Sequence, residues 1–152
     1  MTDTAPLVSI PEAPVPENGT AEWFRGAGAF RLRAALFLPV GTPRGSVALS
    51  GGRSEPIEKY FEVVRELQDR GFVVLTHDWR GQGLSSRQLP ERKKGHVRDF
   101  CEFDSDLAIV MERVVRPHGT KPYYALAHSM GGNILLRYLH DFPHEIERAV
   151  LT

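Results

Sequence analysis

The run Phe72-Val73-Val74-Leu75-Thr76 constrains this chain more than any other, being β-branched and apolar with no polar alternation. A strand of that kind is covered on both faces, as inside a parallel sheet. It therefore needs helices on either side, and the sequence supplies them. Upstream, Ile57, Tyr60, Phe61, Val64 and Leu67 fall on one helical stripe, closed by Gly71. Downstream, Phe100, Phe103, Leu107, Val110, Met111 and Val114 mark a second helix, expected to stop before Pro117. Ser46–Leu49 and Tyr123–Ala127 read as further short strands, Asn133–Leu139 as a third helix, and Arg148–Thr152 as the opening of one more strand. Phe30–Leu38 begins with Phe30 and Leu32 alternating with Arg31 and Arg33, which predicts an outer strand with one wet face. Strands and helices in this alternation specify an α/β fold, a mostly parallel sheet with flanking helices.

The first twenty residues break that grammar. Pro6, Pro11, Pro14 and Pro16 predict an extended, mobile arm, with residues 21–152 as the folded domain. At the other end the sequence stops in mid-strand, which leaves an apolar edge with no helix to cover it. The domain is thus expected to be truncated after its third helix.

Composition narrows the function classes. Nineteen basic and nineteen acidic residues give zero formal net charge, so there is no bulk attraction to nucleic acid. The locally basic Arg87–Lys94 stretch is interrupted by Glu91 and reads as a solvated loop. No apolar run reaches membrane-spanning length, and Met1-Thr2-Asp3-Thr4 has neither the basic nor the apolar part of a secretory leader. A soluble, cytoplasmic protein is expected. The single cysteine, Cys101, cannot form an internal disulfide, and its place on the apolar side of a helix predicts a core residue. No His, Cys or carboxylate cluster has metal-ligand spacing, and Gly51-Gly52 lacks the spacing of a phosphate-binding glycine loop. Neither a metal nor a cofactor is expected.

One segment has the pattern of a reactive centre. Ala127-His128-Ser129-Met130-Gly131-Gly132 lies between a predicted strand and a predicted helix. A small-x-Ser-x-Gly pattern there makes a turn so tight that the serine backbone is strained, and the residues two before and two after must be small. The hydroxyl is then lifted above the positive end of the helix, and the Met130 N–H faces the same space, where it can stabilise an oxyanion. Taken alone, the pattern leaves two readings of Ser129 open: a nucleophile, or a helix cap.

Together with Asp78-Trp79-Arg80-Gly81-Gln82-Gly83-Leu84-Ser85 and Gly52-Arg53-Ser54-Glu55-Pro56-Ile57-Glu58-Lys59-Tyr60, this segment resembles the α/β-hydrolase superfamily. The likeness is to its bacterial lysophospholipase and monoacylglycerol-lipase-like serine hydrolases, and it covers about Trp23 to Thr152. It implies the α/β-hydrolase fold, with Ser129 as nucleophile and an oxyanion hole made by the backbone N–H groups of Met130 and of Arg53, in preference to Gly52. It also implies hydrolysis of a single-chain lipid ester through an acyl-enzyme, while Asp78, Arg80 and Gly83 shape a loop. Two details depart from the family pattern: Ser50-Gly51-Gly52 stands where His-Gly is common, and Ala127 where Gly is commoner.

In this fold the acid and the histidine follow the nucleophile in the chain, after later strands that these residues do not reach. No local histidine substitutes. His140 is eleven residues along the helix, about 17 Å at the helical rise, and His144 is no nearer. His77 ends a different strand, about 10 Å away if one strand intervenes. His96 and His118 sit in loops, and His128 adjoins Ser129 at a turn where neighbouring side chains diverge. Without outside groups, the alternative is a catalytically incomplete scaffold or half of an assembly.

Overall fold

The computed structural model describes residues 3–152. Met1 and Thr2, part of the stretch read for a leader and of the expected arm, lie outside the described residues. The strands are β1 (Gly19–Arg25), β2 (Arg31–Phe37), β3 (Gly45–Ser50), β4 (Phe72–His77), β5 (Tyr123–Ala127) and β6 (Ile146–Leu151). They form one sheet in the order β1-β2-β4-β3-β5-β6. The β1–β2 and β2–β4 pairs are antiparallel, and the other three are parallel. The helices are α1 (Phe61–Asp69), entered through a 3-10 turn at Ile57–Tyr60, α2 (Cys101–Val110), α3 (Arg116–His118) and α4 (Met130–Asp141).

The unalternating pattern of β4 has the expected cause. Val73 and Leu75 face a core shared with Phe103 and Leu107 of α2 and with Ile134 and Leu135 of α4. Val74, on the opposite face, packs with Phe37, Leu49, Ile57, Phe61 and Val64. Each face of the central strands is thus sealed by its own helix layer, and α2 and α4 share one of them.

Four sequence expectations are corrected. β2 is not an outer strand: β1 flanks it, and Arg33, read as facing water, is wholly buried. The alternation is real, but its polar face carries an ion network. Arg33 donates from Nε to Asp78 Oδ2 at 2.8 Å and from Nη1 and Nη2 to the Glu58 carboxylate at 2.7 and 2.8 Å. The remaining Nη1 contact is the Pro6 carbonyl at 2.9 Å.

That last bond belongs to the second correction. The described part of the Pro-rich arm is extended but docked. The Ala5 N–H donates to Ala21 O at 2.9 Å and the Trp23 N–H to Asp3 O at 2.7 Å. Val8 N–H reaches Glu58, and Pro14 O accepts from Arg65. Proline removes donors, yet the carbonyls and remaining N–H groups still find partners, and Ala5 joins the core.

Third, the helical path does not end at Pro117. After α2 a π turn, Met111–Val115, widens the spiral, and α3 continues through Pro117. The wider turn accommodates a residue without an N–H, whose ring would otherwise press on the carbonyl one turn back. Fourth, Cys101 is exposed at the start of α2, not in the core.

On the far side, β6 leaves Val150 and Leu151 exposed, so an apolar sheet edge stands uncovered among the described residues. No described helix is long and apolar enough to cross a membrane.

Candidate active site

The turn between β5 and α4 carries the strain that the sequence pattern demanded. Ser129 sits at φ 51°, ψ −117°, and is exposed. Such a backbone costs a non-glycine residue on the order of 1–3 kcal/mol and persists only where the surroundings hold it. Here they do. The Ser129 N–H donates to Thr152 O at 2.9 Å, the His128 N–H to Ser50 O at 3.0 Å, and the Thr152 N–H to Ala127 O at 3.0 Å. Ala127 is buried, and Gly131 lies so close to the β3 loop that a Cβ there would stand 2.5 Å from Gly51 O. Although Ser129 occupies the cap position of α4, its side chain makes no cap hydrogen bond. Among the described residues the Ser129 hydroxyl therefore does not serve as the cap of α4.

Beneath the turn lies the loop after β3, Gly51-Gly52-Arg53. Three side chains pin it: Trp79 Nε1 donates to Gly51 O at 2.7 Å, Gln82 accepts from the Ser54 N–H, and Glu55 Oε2 accepts the Gly52 N–H at 2.6 Å. The Gly52 N–H is therefore spent on a carboxylate. Met130, first residue of its helix, has an N–H with no intrahelical acceptor by position. Glu55 also accepts from Tyr60 and pairs with Lys59. Burial alone would raise the Glu55 pKa, but the Lys59 ammonium, the Tyr60 hydroxyl and the Gly52 N–H together bring it down to about 2. Burial and the same carboxylate push the Tyr60 phenol up to about 12. The loop is thus held by a carboxylate that stays ionised at any working pH. None of Glu55, Trp79 and Gln82 is identified by sequence reasoning as a loop anchor. The only signal is position: Glu55 comes three residues after Gly52, the reach of a side chain bonding back to its own turn.

Asp78 does the structural work expected of it. Wholly buried, it accepts from the Ile57 N–H at 3.0 Å, the Leu84 N–H at 2.7 Å and Arg33. Gly83, at φ +51°, leaves no room for a Cβ, which would lie 2.1 Å from the Asp78 carboxyl carbon. Arg80 is held by Asp106 at 2.6 and 2.8 Å and by Glu102 at 3.1 Å. Asp106 and Asp104, both buried on α2, are polar partners that the apolar stripe of that helix did not announce.

Arg53 and Met130 line a common cleft of about 320 Å³ with Arg80, Gln82, Val97, Phe100 and Phe103. Of the histidines, His128 Nδ1 lies 3.1 Å from Thr152 Oγ1, with Nε2 4.0 Å from Glu55. His140 is an exposed side chain against Asp141. His77 is buried against Trp79, two strands across the sheet, and its Nε2 has no hydrogen-bond partner among the described residues. Burial holds it neutral, with a pKa lowered to about 4.

That shift predicts a pH dependence. Between about 6.5 and 4 the unfolded chain binds a proton at His77 that the folded chain refuses, so stability is present at neutral pH and falls on acidification. From pH 7 to 5 the loss is about 2 kcal/mol. Urea titrations at the two pH values check it: a His77→Gln variant should lose most of this slope, and an unchanged slope would count against a neutral buried imidazole.

Residues 41–152 match the family described as serine aminopeptidase, S33. The chain belongs to this family. This S33 family chain is 36% identical over 117 residues to the probable lysophospholipase L2 of Haemophilus influenzae, covering 77% of the chain and 37% of the relative. It is 33% identical over 129 residues to the monoacylglycerol lipase of Mycolicibacterium smegmatis, covering 85% and 44%. Among solved structures, the carboxyl esterase of Bacillus coagulans superimposes with a TM-score of 0.68 at 21% identity, covering 88% of this chain and 43% of that one. The fold is the α/β-hydrolase fold, and the chain spans less than half the length of these relatives.

Proposed function

We propose that Ser129 is the nucleophile of a serine hydrolase acting on carboxylic esters of single-chain lipids, lysophospholipids or monoacylglycerols. The observation that carries this reading is the strained, exposed and uncapped Ser129 backbone between β5 and α4, locked by bonds to Ser50 of β3 and to Thr152, just after β6. The relatives' names supply the substrate class, and the family description adds a peptidase; all three chemistries are acyl transfer to serine.

In this mechanism Ser129 Oγ adds to the ester carbonyl as its proton passes to a histidine base, and a tetrahedral oxyanion forms. Two N–H groups hold that oxyanion, those of Met130 and Arg53. The Met130 donor is left open by its place at the start of α4. Arg53 is preferred to Gly52 because the Gly52 N–H is already donated to Glu55. The intermediate collapses to an acyl-enzyme with loss of the alcohol, and water releases the fatty acid. The histidine base and its acid are needed in addition to the residues placed here. The lone Cys101, with no second cysteine in the sequence, suits a reducing compartment, and a cytoplasmic setting is part of the proposal.

The test is covalent labelling of the native protein by a fluorophosphonate lipid-ester mimic, with the adduct mapped by mass spectrometry. A single adduct on Ser129 is expected. A folded protein that stays unlabelled, or is labelled at another serine, would remove Ser129 from the role.

A further inference from the structure

We propose that the side chain of Arg53 is the headgroup-recognising residue of this cleft, making the preferred substrate a lipid ester with an anionic phosphate group and not a neutral monoacylglycerol. The inference rests on the reading of Ser129 as an ester-cleaving nucleophile and adds the chemistry of what lies beside the ester.

The cleft shared by Arg53 and Met130 has two kinds of wall. Val97, Phe100 and Phe103 are apolar and suit an acyl or glycerol backbone. The cationic wall contains two arginines, and only one of them is free. Arg80 is neutralised by Asp106 and Glu102. Arg53 has no carboxylate within ion-pair distance among the described residues. The nearest acid along the chain, Glu55, is taken by Lys59, Tyr60 and the Gly52 N–H. The Arg53 guanidinium instead reaches toward the opposite lip, where its Nη2 comes within 3.7 Å of the place a Gly95 Cβ would occupy.

That lip is itself basic. Arg92, Lys93, Lys94 and Arg98 are exposed on the loop that carries Gly95, against Glu91 and Asp99, a local excess of two positive charges. An unpaired guanidinium between apolar walls is complementary to an amphiphile whose polar end is a phosphate, which it can grip through two parallel N–H donors. A neutral glycerol headgroup would leave that cation without a counter-charge. In the proposed mechanism the backbone N–H of the same residue also holds the oxyanion, so headgroup and reacting carbonyl would be set by one loop.

The experiment compares kcat/KM of the native protein on two substrates of equal acyl chain, lysophosphatidylglycerol and monoacylglycerol, each in neutral detergent micelles. Arg53→Gln should reduce the preference for the phosphate-bearing substrate by about ten-fold, the size of a lost charge-assisted bond. Arg53→Lys should retain part of it, and added salt should erode the wild-type preference more than that of Arg53→Gln. If both substrates are cleaved and the ratio does not move in Arg53→Gln, the inference is overturned while the ester-hydrolase reading stands. An equal fall on both substrates assigns Arg53 to the oxyanion loop alone and also overturns it. If the native protein cleaves neither substrate and takes no fluorophosphonate, the underlying reading fails and this one with it.

Discussion

Gly131→Ala is expected to destabilise the protein by about 3 kcal/mol, near the upper end for inserting atoms into a filled site. For a chain of this length that is a fall of roughly 10 °C in melting temperature. The added Cβ would sit 2.5 Å from Gly51 O and 2.7 Å from Ser50 O, and both are backbone atoms with no flexible end to swing aside. Relief requires α4 to lift from β3 or the Gly51-Gly52-Arg53 loop to retreat. Either movement separates Ser129 from the candidate oxyanion donors, so fluorophosphonate labelling should fall further than the melting temperature alone explains. Gly132→Ala is the control. Its Cβ meets nothing closer than 3.6 Å, the Leu151 side chain, and alanine favours helix by up to about 1 kcal/mol. Calorimetry of the pair should separate them by sign. Equal destabilisation would mean that the helix, and not the close approach to β3, sets the requirement for glycine.

Asp78→Ala is expected to cost about 3–5 kcal/mol, the penalty for removing one partner of a buried ion pair. Arg33 is wholly buried and would keep only the Glu58 carboxylate and the Pro6 carbonyl. The Ile57 and Leu84 N–H groups would lose their acceptor as well, at the head of α1 and in the loop after β4. Urea unfolding should show a lower midpoint in the single variant. Replacing Arg33 by Met in the same chain should restore part of the loss, since the orphaned cation is then gone. A double variant no better than the single would place the loss in the two backbone donors.

How far the sequence announced this molecule varies with the kind of force involved. β4, α1, β5 and α4 were legible because burial leaves a periodic imprint: Val73 to Leu75 unalternating, and Ile57, Phe61 and Val64 on one stripe. The turn at Ser129 was legible because steric crowding admits only small neighbours. β1 was missed because Gly19–Arg25 mixes exposed, half-buried and buried positions without clean alternation. Arg33 misled because a buried guanidinium and a solvated one look alike until their partners are known, and those are 25 and 45 residues away. The same holds for Glu55: its family motif was visible, but its grip on Gly52 exists only once the loop has folded.

The docked N-terminal segment sets where this protein can be cut. A chain begun at Trp23, where apolar sequence first thickens, would lose the Pro6 carbonyl that completes the Arg33 shell, the Ala5 plug in the core and half of β1. The prolines there serve as a pre-stiffened clasp, since a backbone with few conformations to lose is cheap to fasten. A protease nick in this stretch should therefore be read as a loosening of the whole sheet and not as trimming of a tail.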